Sequence, residues 1–129
     1  MVKTLKLTFA CLFLAAAICP AAEDPSPEHV NQMKALGAQM GAIRKGVDVS
    51  KNATEMTETM KAVSAFWEAR HSEAATKANK SVIAGAAAIA AAGDDKSAQM
   101  AGMKMMGGGC KGCHDAHREK ISDTEYKIK

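Results

Sequence analysis

An all-α chain, folded as an antiparallel up-down-up-down bundle of four helices, is what this sequence predicts, and three observations predict it. Prolines stand only at positions 20, 25 and 27, so nothing beyond Pro27 imposes a hard helix break. β-branched residues never form a long alternating run. Apolar residues instead recur at steps of three and four, the period of one helix face.

The first helix is expected at about 28–45. Val30, Met33, Leu36 or Gly37, Met40 and Ile43 share a face, Pro27 suits the first turn, and Gly46 is a natural stop. The second is expected at about 53–69, with Asn52 and Glu55 as a cap pair and Ala53, Met56, Met60, Val63 and Trp67 as the inner stripe. No Gly or Pro marks the next turn, which is placed at His71-Ser72 with Ser72 capping a third helix at about 73–92. Its stripe is Ala75, Ala78, Val82, Gly85, Ile89 and Ala92, ending at Gly93. The fourth helix, about 97–120, opens after Asp94-Asp95 and carries Ala98, Ala101 and Met105 toward a pair of cysteines. The tail from Ile121 has no period and is expected to be loose. Helices of about five turns with short links pack as antiparallel neighbours.

Residues 1–22 read as a secretory signal peptide. Lys3 and Lys6 precede an apolar run from Leu7 to Ile18, and Ala21 and Ala22 precede the acidic Glu23-Asp24. The run is short for a membrane span, which needs about 20 residues. Ile18 before Cys19 fits a lipidation site poorly. Residues 23–129 are then one domain, exported to the periplasm. Without Lys3 and Lys6 the 17 basic residues become 15 against 14 acidic ones, a balance unsuited to holding a polyanion, so no nucleic-acid partner is expected. Only Phe66, Trp67 and Tyr126 remain as aromatics beyond the leader. A core of Ala, Met and Gly buries little area per side chain, and a large apolar cofactor would supply what is missing.

The chemistry lies in Cys110-Lys111-Gly112-Cys113-His114, the C-x-x-C-H spacing of c-type haem attachment. Two thiols one helical turn apart match the two vinyl groups on one porphyrin edge, and the next histidine reaches the iron. One covalent haem c is therefore expected, on Cys110 and Cys113, with His114 as the axial ligand. The competing readings of a C-x-x-C are a redox dithiol, which wants a βαβ setting; half a zinc site, which wants four ligands; and a structural disulfide, which two intervening helical residues strain. Gly107-Gly108-Gly109 just upstream costs a helix about 1 kcal/mol per glycine relative to Ala, and is explained if a flat macrocycle lies against that backbone.

The string from Cys110 to Arg118, near the end of a four-helix chain, resembles the class II c-type cytochromes, the cytochrome c′ family. The likeness spans the whole mature chain. Met33-Lys34-Ala35-Leu36-Gly37-Ala38-Gln39-Met40, followed by Lys45-Gly46, looks like that family's first helix. The resemblance implies a bundle enclosing the haem, a periplasmic home, redox partner proteins, frequent homodimers, electron transfer and, in some members, binding of nitric oxide or carbon monoxide. It also implies that Arg118 is a basic residue near the proximal face. The segment between the second and third helices is shorter than in typical members, so the haem edge there is expected to be more exposed.

Counting back from Lys45-Gly46, the family's distal position falls on Val30. Valine cannot ligate iron, so an open or weakly filled sixth site is expected. Met33, one turn further along, and His29 are the alternatives. His117 is expected at the surface. A haem enzyme such as a peroxidase would want a distal acid–base pair. His29 and Gln39 lack an evident carboxylate partner, so a non-enzymatic role is expected: an electron carrier, or in the alternative a gas-binding protein for sequestration or sensing.

Overall fold

The computed structural model describes residues 21–129, so the expected leader lies, but for its last two residues, outside the described residues. Four helices form: α1 Pro27–Arg44, α2 Val49–Glu68, α3 Glu73–Ala91 and α4 Lys96–His117. Two short strands follow, β1 Arg118–Lys120 and β2 Tyr126–Ile128. Among the described residues no helix is long and apolar enough to cross a membrane.

Capping chemistry sets three of the four helix starts. The Ser26 hydroxyl accepts from His29 N, with Pro27 in the first turn, and the Ser72 hydroxyl accepts from Ala75 N. The Asp95 carboxylate accepts from Ala98 N. Each such cap is worth about 1 kcal/mol. The expected Asn52–Glu55 cap is corrected. α2 starts at Val49, behind Asp48 in the left-handed region (φ 42°) and with no side-chain cap. Asn52 sits one turn inside and donates its amide to the Val47 and Asp48 carbonyls, bracing that turn from within.

α1 packs on α2, α2 on α3, and α3 on α4, the last being the most extensive pairing; among the described residues α1 and α4 form no comparable seam. The α2 stripe Ala53, Met56, Met60, Val63 and Trp67 is wholly buried, as are Ala75, Ala78, Val82, Gly85 and Ile89 of α3. Small residues let α3 and α4 approach backbone to backbone. A Cβ on Gly85 would stand 2.7 Å from the Gly102 carbonyl, and one on Gly109 would stand 2.6 Å from the Ala78 carbonyl. Gly109 therefore serves helix packing, which corrects the expectation that all three glycines clear space for a flat group. Gly107 and Gly108 have nothing near their Cβ positions.

On α1 the buried residues are His29 and Ile43, while Met33, Leu36 and Met40 are half-buried against the core. Val30 lies beside this stripe, half-buried and outside the core cluster. The tail is not loose. Arg118, Glu119 and Lys120 pair antiparallel with Ile128, Lys127 and Tyr126. Glu23 closes the other edge through two 2.8 Å backbone hydrogen bonds with Ile128. α4 ends at His117 rather than near residue 120, because Arg118 is already extended (φ −108°, ψ 119°).

Candidate functional site

Cys110, Cys113 and His114 stand three and four residues apart on α4, hence on one helix face, and all three are half-buried while Lys111 and Gly112 between them are exposed. That face adjoins the one committed to α3, where Gly102, Met106 and Gly109 are buried. Both cysteines pack against the same core cluster as Met33, Leu36 and Met40 of α1. The motif and these α1 side chains thus share one packing core.

The electrostatics define what these groups can do. Burial raises the Cys110 thiol above its ordinary range, opposed by a backbone hydrogen bond and the Arg44 charge. Burial and the charge of Cys110 raise Cys113. Both thiols are free and are held protonated at neutral pH, whereas a dithiol redox catalyst depends on a stabilised thiolate. Burial and then Arg118 push His114 below its ordinary value, with Asp115 opposing. A neutral imidazole is the form that ligates a metal. Among the described residues no three His, Cys, Asp or Glu side chains cluster to hold a metal ion, so the zinc reading finds no further ligands.

An aromatic array closes this end of the bundle. His29 stacks on Phe66 with centroids 4.5 Å apart and meets the edge of Trp67 at 6.2 Å. Trp67 stacks on His117 at 4.2 Å. The expectation of a surface His117 is corrected. Its Nε2 lies 2.6 Å from the Ser72 hydroxyl and its Nδ1 lies 3.1 Å from the backbone oxygen of Lys129. A carbonyl can only accept, so Nδ1 donates to Lys129 and Nε2 accepts from Ser72, a tautomer assigned from the network. Ser72 in turn accepts from Ala75 N, so one hydroxyl both caps α3 and anchors α4. Both nitrogens of His117 are engaged, leaving neither for a metal.

Arg118 keeps its charge within reach of His114 but not from the same helix face. Its guanidinium lies over the Tyr126 ring at 3.5 Å, in the hairpin. His29 is the residue the sequence pattern undervalued. It is 8% exposed, and its Nδ1 is buried with no hydrogen-bond partner. The signal was available: residues 29, 33, 36, 40 and 43 follow a regular four-three rhythm, and only the first member of the expected stripe, Val30 in place of His29, was misplaced.

Compared with family models, curated proteins and solved structures, the chain matches none of them.

Proposed function

We propose that the chain is a periplasmic monohaem c-type cytochrome that carries electrons between redox partner proteins and is not an enzyme. The observation that carries this reading is the single half-buried face of α4 presenting two protonated thiols and a neutral imidazole at C-x-x-C-H spacing. The residues fit the group. Among the described residues α1 and α4 form no seam comparable to the other three, half-buried Met33, Leu36 and Met40 of α1 pack on the same core as both cysteines, and the buried His29 imidazole of α1 has an unpartnered Nδ1. Cys110 and Cys113 would each form a thioether: the sulfur adds to one vinyl carbon and the thiol hydrogen passes to the other, so no oxidant is consumed. His114 would hold the iron. When bound, the haem supplies one-electron chemistry between ferric and ferrous iron.

The first helix also bears on the sixth position. Val30 and Met33 are both half-buried on α1, and Met33 packs against the core. Val30 offers no ligand, which favours an open or weakly filled site; Met33 remains the thioether within one turn. An apolar open site supports the second reading, reversible binding of nitric oxide or carbon monoxide for sequestration or sensing.

The test is export of the full-length chain in cells equipped for c-type haem attachment, followed by acid–acetone extraction. The expected product is red and keeps its colour, and Cys110→Ser with Cys113→Ser is colourless. Colour lost on extraction would contradict covalent attachment. A ferrous spectrum that is low-spin and unchanged by carbon monoxide would remove the gas-binding reading.

A further inference from the structure

We infer that His29 is the polar contact between α1 and the haem, its Nδ1–H donating a hydrogen bond to an oxygen acceptor there, either an iron-bound small ligand or a haem carboxylate. This rests on the haem reading above and adds a residue to that site.

Three observations on the ring support it. First, Nδ1 is buried and bonded to nothing, in a side chain 8% exposed. A buried polar atom without a partner is costly, and implies that a group absent from the protein atoms satisfies it. Second, the ring is not free to swing out. Phe66 covers one face, the edge of Trp67 abuts it, and Trp67 is itself held by His117. The Arg70 guanidinium lies 3.6 Å over Phe66 and binds Glu23, which fixes the outer side of the stack. Third, the ring lies at the motif's end of the bundle, since Trp67, whose edge it meets, stacks on His117, one helical turn beyond Cys113 on α4. Gln39 Oε1 and Asn79 Nδ2 are also buried without partners, but of the three only His29 belongs to the ring stack that reaches α4 through Trp67 and His117.

The chemistry selects donation. Haem carboxylates and iron-bound diatomic ligands accept hydrogen bonds and donate none, so a neutral imidazole can satisfy Nδ1 against them only by carrying the proton on that atom. A nearby open cavity of about 290 Å³ between α1 and α2, lined by Ser26, Glu28, His29, Gln32, Ala65 and Phe66, borders the residue.

The test uses the haem-loaded full chain, with His29→Leu to remove the donor and His29→Gln to keep one. Retained covalent colour in the parent protein secures the underlying reading independently. If the acceptor is an iron-bound ligand, the C–O stretch of the ferrous carbon monoxide complex shifts in the Leu variant and returns in the Gln variant. Nitric oxide then leaves the Leu variant roughly five- to tenfold faster, the worth of one hydrogen bond. If the acceptor is a haem carboxylate, the C–O stretch is unmoved, while the reduction potential and its pH dependence change in Leu and recover in Gln. Either pattern supports the inference. Neither changing would overturn it, as would a low-spin parent spectrum that becomes high-spin in both variants, which would put His29 on the iron itself.

Discussion

At the scale of single residues, burial governs reactivity. Cys110 and Cys113 are flanked by core side chains, so their thiols titrate above the ordinary 9.0. The thiolate is the nucleophile, and a raised pKa leaves little of it at neutral pH. In residues 23–129 made without haem, alkylation by iodoacetamide at pH 7.5 is expected to be slower than that of an unstructured cysteine peptide and to accelerate above pH 9. Faster alkylation at pH 7.5 would contradict the burial. His117 acts through structure instead. Two hydrogen bonds and a stacked indole are lost in His117→Leu, at about 1 kcal/mol each, so a loss of about 2–3 kcal/mol in urea unfolding is expected. His117→Phe, which keeps the stack, is expected to lose less.

At the scale of elements, the tight seam between α3 and α4 and the looser flank between α4 and α1 divide the fourth helix into two duties. Gly109→Ala would press a methyl to 2.6 Å from the Ala78 carbonyl and is expected to destabilise the chain by about 1–3 kcal/mol. Gly107→Ala meets open space and is expected to stabilise the haem-free helix by up to about 1 kcal/mol. Thermal melts of the two variants should therefore move in opposite directions. The α2 and α3 stripes were legible in the sequence because each faces neighbours on both sides, which keeps the apolar rhythm strict. The first-helix stripe was right at Met33, Leu36, Met40 and Ile43 and wrong only at its first position, because half-buried Val30 looks as apolar as the core while the buried residue there is a histidine. The Asn52 cap failed because Asn52 has the cap chemistry but spends it on the preceding carbonyls. The hairpin was illegible because β1 and β2 are three residues each, too short to set a period, and their pairing is completed by Glu23 about a hundred residues away.

At the scale of the molecule, the chain is a three-seam stack of four helices with one end knit together by aromatic rings, the Ser72–His117 bond and the hairpin. His29 links this end to pH. Burial, then the Arg70 and His114 charges, hold its folded pKa below the ordinary 6.5. The unfolded chain therefore takes up that proton at higher pH than the folded one, and stability is whole above about 6.5 and falls as acidification proceeds through the folded value. The thermal midpoint of the haem-free chain is expected to be level above pH 7 and to decline below 6.5, with a shallower decline in His29→Phe. A midpoint that rose on acidification would contradict this.

The C-x-x-C-H spacing is visible in the sequence because it lies within about one helical turn; which α1 side chains come near it is not, because that depends on how the helices pack. The intact mass of the exported, purified full-length protein tests the central claim most directly. The account predicts a single species heavier than the leader-free polypeptide by one haem, with the added mass reduced to nothing when Cys110 and Cys113 are both serine. A mature protein at the bare polypeptide mass, folded and colourless under conditions that load other c-type cytochromes, would contradict it.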